Sequence, residues 1–510
     1  MPRLLLALLS LLLAAVPAAA LEVTPAGRYA SGVFDESAAE IVVYDPEVGQ
    51  AYVVNGHMNV VDVLDVSDIR NPVKKTSFDF SAYGTALNSV ACRDGMIAVA
   101  VEAAPKQAPG HVVVADRSGR VLAAFRVGAQ PDMVTFSPDG KYILAACEGA
   151  PDDACSVDPE GTISIIDISP GLDKAVNRSA GFAAFNPLRK HLKARGVRLS
   201  HPGSTVAQDL EPEYIAVSPD SRLAFVTLQE NNSVAVVDIP KAKVVEILGL
   251  GLKDWSGLVM DASDKDKAVN LKQWPVYSAY MPDGIAAYAV NGRNYFVTAN
   301  EGDSREYDEY ADEKRLSKVK LDPRAFPESD KLQDKKALGR LKTITDLSDT
   351  DGDGDYDRIV AFGGRSFSIW DENGSLVFDS GDSFERILAR LHGYGFNADS
   401  DKNKFDKRSD DKGCEPEGAE IGVVDGRTYV FIGLERMGGV MVFDITDPQN
   451  PFFETYRLDR DFSGDPKEGT AGDLGPEGVH FVPAAESGTG DALLFVGNEI
   501  SGTTTIYTVR

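Results

Sequence analysis

The stretch EPEGAEIGVVDGRTYVFIGLERMGGVMVFDIT, residues 415–446, contains three short apolar segments separated by polar turns. The first segment follows Pro416 and ends at a turn at Asp425-Gly426. The second ends at Glu435, and after a Gly-Gly turn the third ends on Asp-Ile-Thr. Short segments rich in Val, Ile, Phe and Tyr, bounded by Gly and Asp turns, predict three consecutive β-strands.

The same pattern recurs along the chain, with a Pro followed by an acidic residue at the start and a Glu further on. The other pairs are Pro131 and Glu148, Pro212 and Glu230, Pro282 and Glu301, and Pro476 and Glu499. Self-similar units of strand and turn are typical of β-propellers.

Seven such units are visible. The last lacks an outer strand, whereas a spare strand around Tyr29 lies near the N-terminus. Adding that strand to the last blade removes a free sheet edge. We therefore predict an all-β fold, a seven-bladed β-propeller (WD40/YVTN-like) closed by an N-terminal strand, with six or eight blades as alternatives.

The fifth unit is interrupted. Two strands, at residues 284–290 and 295–301, precede a long acidic insertion at about residues 302–358, after which the pattern resumes at Ser366. Insertions of this length in a compact fold are usually functional or disordered. Residues 21–510 are predicted to form a single propeller domain that contains the insertion.

The N-terminus predicts export. Arg3 precedes an apolar run over residues 4–16, and Pro17 is followed by three alanines. This pattern indicates a cleaved signal peptide at residues 1–20, with an uncleaved anchor as the alternative. No other apolar run has transmembrane length. We expect a periplasmic or secreted monomer with no transmembrane anchor in the mature chain.

The formal net charge is −26. Such a surface repels phosphate backbones, so we expect no nucleic-acid partner. The acidic excess favours either divalent cations or simply solubility.

Four cysteines are present. Cys147 and Cys155 flank a turn-rich loop and are candidates for a disulfide in an exported protein. Cys92 and Cys414 could pair only if the fold brings their Cα atoms within about 7 Å of each other.

Acidic residues at the blade starts are the main candidate site. The first strand of each propeller blade lines the central channel, so these residues are expected around one mouth of that channel. A second set of acidic residues ends or follows the second strand of each blade. The channel-mouth candidates are Asp132, Glu213, Asp283, Glu301, Glu417, Glu435, Glu477 and Glu499, with Glu102, Glu148 and Glu230 extending the second set. Crowded carboxylates suit a hard cation such as Ca²⁺ or Mg²⁺. The alternative is that Pro-Glu-Gly is only turn chemistry.

The insertion contains alternating aspartates. They are Asp349, Asp351, Asp353, Asp355 and Asp357, with Gly354 at position six as in the first half of an EF-hand calcium loop. Position twelve is Val360 and not the bidentate Glu of that loop. We predict a Ca²⁺ site without its closing ligand, with a solvated loop as the alternative.

Several longer motifs resemble a known family. They are NEGD at residues 300–303, AFGGRSFSIW at 361–370, DLGPEG at 473–478 and GNEISGT at 497–503. Together they resemble the choice-of-anchor I family, which includes a mesenchyme-specific cell-surface glycoprotein linked to biomineralisation. The resemblance covers nearly the whole mature chain and implies an exported propeller. Some bacterial relatives are described as alkaline-phosphatase- or phytase-like. No C-terminal anchor is recognisable, which leaves surface attachment open.

Two functions are compatible with these observations. The first is an exported calcium-binding propeller that acts as a binding or surface-associated module for an unknown ligand or surface partner. The second is a Ca²⁺-dependent phosphohydrolase in which Arg305, Arg365 and Arg436 clamp phosphate, because guanidinium matches phosphate bidentately; these arginines have ion pairing as their alternative role. Only the enzyme requires basic residues beside the carboxylates in one pocket. The sequence favours the first function.

Overall fold

Residues 20–510 are described by a computed structural model, so the predicted signal peptide lies outside the described residues apart from its last residue. Within this range, seven antiparallel sheets have four strands each. Blade 1 contains β2 (Val42–Asp45), β3 (Gln50–Asn55), β4 (Val60–Asp65) and β5 (Val73–Asp79). Blade 2 contains β6 (Ala86–Arg93), β7 (Met96–Glu102), β8 (Pro109–Asp116) and β9 (Val121–Ala129). Blade 3 contains β10 (Pro131–Phe136), β11 (Tyr142–Cys147), β12 (Thr162–Asp167) and β13 (Val176–Gly181).

The remaining blades follow in chain order. Blade 4 contains β14 (Ile215–Val217), β15 (Leu223–Leu228), β16 (Ser233–Asp238) and β17 (Lys243–Gly249). Blade 5 contains β20 (Ile285–Val290), β21 (Arg293–Asn300), β25 (Ser366–Asp371) and β26 (Leu376–Asp379). Blade 6 contains β27 (Pro416–Val424), β28 (Arg427–Leu434), β29 (Val440–Asp444) and β30 (Phe452–Arg457). Blade 7 contains β31 (Pro476–Val482), β32 (Ala492–Asn498), β33 (Thr503–Val509) and the N-terminal β1 (Val23–Ala30).

The blades form a closed ring. The first strand of each blade packs beside the first strand of the next, and β31 of blade 7 packs beside β2 of blade 1. The last sheet is completed by β1, which pairs antiparallel with β33 from Val23↔Val509 to Ala30↔Thr503. The predicted propeller fold and its closure by an N-terminal strand are thereby confirmed.

Burial follows position within the blade. Inner and middle strands pack between two neighbouring blades, so apolar residues occupy both of their faces. Every residue of β32 is buried, whereas most of the outer strand β5 is exposed. The core is therefore a series of layers between blades, and the first strands surround the central channel.

The insertion is folded. It contributes β22 (Glu313–Arg315), β23 (Lys342–Ile344) and β24 (Ile359–Ala361) to a five-stranded sheet. The other two strands, β18 (Leu252–Asp254) and β19 (Val276–Ala279), come from the link between blades 4 and 5, where the sequence pattern predicts no strand. Buried residues such as Trp255, Leu316 and Leu338 give this sheet a hydrophobic core of its own.

Helices occupy the connections. They are α1 (Arg189–Ala194), α2 (Val206–Asp209), α3 (Ser329–Leu332), α4 (Thr345–Ser348) and α5 (Ser383–His392), with 3₁₀ turns at Leu172–Lys174, Ala183–Leu188 and Leu316–Lys318. The longest helix, α5, lies in the link between blades 5 and 6, where the sequence pattern predicts no helix. Among the described residues, the helices are too short or too polar to cross a membrane.

Candidate functional site

A cavity of about 500 Å³ lies at one mouth of the channel. All eight predicted channel-mouth residues line it. The acidic residues around the cavity are Asp132, Glu148, Glu213, Glu230, Asp283, Glu301, Asp303, Glu417, Glu435, Glu477 and Glu499. The basic residues are Lys412 and Arg436. The repeated acids of separate blades therefore meet in one place with a large excess of negative charge.

In the repeated Pro-acid-Gly motif, the glycine has a structural role. A Cβ atom on Gly418 would lie 2.5 Å from the carbonyl oxygen of Glu477 in the next blade. On Gly284 it would lie 2.2 Å from the carbonyl oxygen of Glu417. Only glycine permits this close approach of neighbouring blades. The turn-chemistry interpretation thus explains the glycine, while the adjacent acidic side chain lines the cavity.

The residue before four of the five repeat prolines adopts a left-handed backbone. Gln130, Met281, Glu415 and Gly475 have φ values of 48°, 47°, 53° and 69°. For residues other than glycine this conformation costs roughly 1–2 kcal/mol. The strain recurs in blades 3, 5 and 6, directly before the proline and acid that enter the channel mouth, and blade 7 has a glycine at this position. It is therefore a built feature of the site, which sequence reasoning missed.

Burial raises the pKa of most carboxylates in the mouth. It raises the pKa of Asp132 to about 7 and that of Glu148 to about 8, and the charges of neighbouring carboxylates add to the shift. Burial, followed by neighbouring carboxylates, likewise raises the pKa values of Glu213, Asp283, Glu417, Glu435 and Glu477 well above the ordinary range. Such groups either retain protons or need a cation.

One side of the mouth is neutralised internally, at Glu415. This fully buried carboxylate accepts bonds from Arg408 (2.6 Å), Arg436 (3.2 Å) and Lys412 (3.3 Å). Burial alone would raise its pKa, but the charges of Lys412, Arg408 and Arg436 outweigh burial and hold the pKa well below its usual range. Lys412 also contacts Glu301 at 2.5 Å. Neither Glu415 nor Lys412 was a candidate from sequence; the position of Glu415 directly before Pro416 was the available signal.

Three other carboxylates of the mouth each have a buried oxygen with no partner. Within residues 20–510, Oε2 of Glu213, Glu230 and Glu417 makes no hydrogen bond although each atom is buried. Glu213 and Glu230 are only 9% and 7% exposed. In addition, carboxylate oxygens of Asp283, Glu301 and Glu417 lie within 4.8 Å of one another. Ca²⁺ takes six to eight oxygen ligands at about 2.3–2.6 Å, so these residues fit a hard cation.

Two of the three predicted phosphate-clamp arginines lie elsewhere. Arg305 is 2% exposed and pairs with Asp209 (2.7 Å) and Glu211 (3.1 Å). Arg365 is 2% exposed and pairs with Glu385 at 2.9 Å. Both therefore have the ion-pairing role that was the alternative to phosphate binding. Arg436 lines the cavity, where it contacts Glu435 at 2.8 Å.

The aspartate loop of the insertion brings three of its five acids together. Carboxylate oxygens of Asp349, Asp351 and Asp353 lie within 4.8 Å of one another. Asp349 accepts hydrogen bonds from the backbone N–H groups of Gly352 (2.7 Å) and Gly354 (3.1 Å). The loop is therefore organised by its own backbone at the surface.

Asp355 lies in the same exposed loop, and Asp357 accepts hydrogen bonds from the backbone N–H (2.8 Å) and hydroxyl (2.6 Å) of Thr350.

The predicted disulfide is absent, because both cysteines are free thiols. Cys147 is buried at the end of β11. Cys155 instead lies beside His201, with its Sγ 3.3 Å from Nε2 of the imidazole. The loop between the cysteines carries Cys155 away from the blade, so the prediction from their short spacing is wrong.

The comparisons with known proteins decide the family. The choice-of-anchor I domain matches residues 40–448. This chain belongs to the choice-of-anchor I family. The resemblance predicted from the sequence motifs is thereby confirmed.

Two related proteins are similar to parts of this choice-of-anchor I chain. The mesenchyme-specific cell surface glycoprotein of Strongylocentrotus purpuratus is 28% identical over an alignment of 313 positions, which covers 53% of this chain and 40% of the glycoprotein. Gigasin-3a of Magallana gigas is 29% identical over an alignment of 185 positions, which covers 34% of this chain and 65% of Gigasin-3a. The matches span less than two thirds of either relative.

A solved structure covers more of the chain. Kuenenia stuttgartiensis hydrazine synthase aligns with 94% of this chain and 98% of its own, at 14% identity and a TM-score of 0.49. That likeness carries no argument about function.

Proposed function

We propose that this choice-of-anchor I protein is an exported, surface-associated binding module whose channel mouth holds Ca²⁺. The observation that carries the proposal is the set of buried, unpartnered carboxylate oxygens of Glu213, Glu230 and Glu417 around a single cavity. Buried charges are normally paired or coordinated. A bound divalent cation would supply the missing partner and offer its remaining coordination positions to an external oxygen ligand.

The location of the cation follows from which carboxylates of the mouth lack basic partners. Around Glu415, three basic side chains already supply positive charge. Among the described residues, Asp283 and Glu417 form no ion pair, whereas Glu301 pairs with Lys412, and carboxylate oxygens of these three acids lie within 4.8 Å of one another. We therefore place the Ca²⁺ ligands at Asp283, Glu301 and Glu417.

Surface association rests on two supports. The N-terminal sequence predicts export, and one relative of the family is called a cell surface glycoprotein. Calcium sites of extracellular modules are weak, with Kd on the order of 10⁻⁴–10⁻³ M, and we expect this class of site in an exported protein. The aspartate loop at residues 349–357 is proposed as a second, exposed site of this kind.

Calcium titration of the mature chain tests the channel site. The double variant Glu213→Gln, Glu417→Gln should lose roughly tenfold or more in Ca²⁺ affinity by calorimetry, because it removes oxygen charge from the mouth. Asp353→Asn is the control, since it should weaken only the site proposed for the exposed loop and leave the Ca²⁺ affinity of the channel site unchanged. Equal Ca²⁺ affinity of the double variant and the wild type would exclude the channel site.

A phosphohydrolase is the second candidate, favoured by Lys412 and Arg436. Both line the cavity beside the carboxylates, as an enzyme of this class requires. Ca²⁺-dependent turnover of a generic phosphoester, lost in Arg436→Gln, would support catalysis. Ca²⁺ binding without turnover would leave the binding module.

A further inference from the structure

We propose a separate site for Zn²⁺, or a similar borderline transition-metal ion, at Cys155 and His201, outside the channel. The Cys155 Sγ lies 3.3 Å from Nε2 of His201. In a tetrahedral site, Zn–S is about 2.3 Å and Zn–N about 2.0 Å, which places the two ligand atoms about 3.5 Å apart. The two side chains thus already stand close to the spacing of ligands on one ion.

The tautomer of His201 is fixed in the form that binds metals. The hydroxyl of Ser204 donates to Oδ2 of Asp158 at 2.6 Å. The same hydroxyl contacts Nδ1 of His201, so it accepts the Nδ1–H of the ring. Nε2 is then left with its lone pair directed toward Cys155. Carboxylate-linked chains of this kind orient histidine ligands in metal sites.

His201 has limited freedom to do anything else. It is 7% exposed, and the rings of Tyr307 and Tyr310 meet it edge-on with centroids 6.0 Å and 5.5 Å away. Cys155 is half-buried and therefore open to an ion arriving from solvent. A rigid imidazole beside an accessible thiol is suited to capture of a metal ion.

Carboxylates are available to complete the coordination. Burial, and after it the charges of Asp158, Asp152, Glu309 and Asp153, raise the pKa of the Cys155 thiol, which places four carboxylates within electrostatic reach. Oδ1 of Asp158 is buried without a hydrogen-bond partner among the described residues. Asp153 and Glu309 are exposed and free to reorient. Binding would release the thiol proton to solvent and leave the thiolate on the metal.

The site also joins two parts of the fold. Cys155 belongs to the loop after β11 in blade 3, while Tyr307 and Glu309 belong to the insertion. A backbone bond from Asp308 N–H to the Asp153 carbonyl (2.9 Å) already connects the two loops. A bound ion would reinforce that connection.

Cobalt substitution gives a readout that carboxylate sites do not produce. With Ca²⁺ present to saturate the channel, Co²⁺ added to the reduced mature protein should produce a thiolate-to-metal charge-transfer band in the near ultraviolet. Zn²⁺ should displace it. The band should disappear in Cys155→Ser and weaken strongly in His201→Gln. Cys92→Ser, which alters another half-buried thiol, should retain it.

Two further measurements test metal binding at Cys155 without a change at that site and separate it from binding in the channel. Zn²⁺ should slow alkylation of Cys155 at least roughly tenfold by peptide mass spectrometry, which reports on the wild type without any variant. The Glu213→Gln, Glu417→Gln protein should keep the band, so failure of the channel proposal stays distinguishable. Absence of a thiolate band in the wild type, or an unchanged band in Cys155→Ser, would overturn the Cys155–His201 site.

Discussion

The channel mouth and the aspartate loop are both acidic, but the repulsion between their carboxylates is relieved in different ways. In the loop, Asp349 accepts two backbone N–H bonds and Asp353 is open to water. In the mouth, burial and neighbouring carboxylates raise the pKa of Glu213 and Glu417, and each has an oxygen without a partner. Water screens the exposed charges, whereas the buried ones interact in a low dielectric. Placing carboxylates close together thus costs little free energy in the loop and much more in the mouth.

Glu415→Gln should have the largest effect on stability. It leaves Lys412, Arg408 and Arg436 around a neutral amide in a buried site, and breaking such a network costs about 3–5 kcal/mol. Chemical denaturation of the mature protein measures the loss. Asp353→Asn in the exposed loop should change the free energy of unfolding by less than about 0.5 kcal/mol. A loss below about 1 kcal/mol for Glu415→Gln would contradict the contrast between the regions.

Lys412→Met should separate stability from metal binding. Without Ca²⁺ the variant should lose about 2 kcal/mol, because Glu301 and Glu415 lose a charged hydrogen-bond donor. With Ca²⁺ it should recover more stability than the wild type, since Glu301 is then free to bind the ion. Lys407→Met, on a partly exposed side chain nearby, is the control. Equal Ca²⁺ responses of Lys412→Met and the wild type would argue against Glu301 as a ligand.

Raising the pH in a chelator should destabilise the protein. The folded-state pKa values of Asp132 (about 7) and Glu148 (about 8) lie above those of the unfolded chain. Between about pH 4, where unfolded carboxyl groups titrate, and about pH 8, the folded state therefore holds more protons than the unfolded state. The free energy of unfolding falls as pH rises through this range, by at most about 1.4 kcal/mol per pH unit for each group. Denaturation midpoints between about pH 6 and pH 8.5 measure the slope. Ca²⁺ should flatten it, and Glu148→Gln should reduce it; a chelated protein that gains stability over this range would refute the argument.

Asp351→Asn should have the smallest effect. It should leave the unfolding free energy within about 0.5 kcal/mol of the wild type, because the side chain is exposed. It should weaken only the Ca²⁺ site of the loop, detected as one class of sites in a calorimetric titration. A change in the channel class of sites would show that the two regions are coupled.

The fold was predictable because its signals are local and repeated. Turns such as Asp425-Gly426 and apolar strands such as β28 can be recognised within one blade. Repetition then predicted that equivalent acids, including Glu417 and Glu477, lie at one level of the ring. The structure brings them into one cavity for that reason.

The parts that sequence reasoning missed depend on distant partners. β18 and β19 have only three and four residues, and β19 pairs in parallel with β24 from the insertion. The partners of Arg305 lie on Asp209 and Glu211, far back in the chain. Motif spacing contains no signal for such contacts. Cys155 illustrates the same limit, since its neighbour His201 is 46 residues away.

The closure of the ring by β1 also governs how the chain reaches its native state. Val23 pairs with Val509, and Glu22 and Arg510 exchange backbone hydrogen bonds of 3.0 Å and 3.1 Å. β1 must therefore remain unpaired until β33 is available, and contacts of such high sequence separation slow folding. A circular permutant that joins residues 22 and 510 through a short linker would turn this closure into a local hairpin. Pairing of β1 with β33 thus makes closure of the propeller ring a late step in folding.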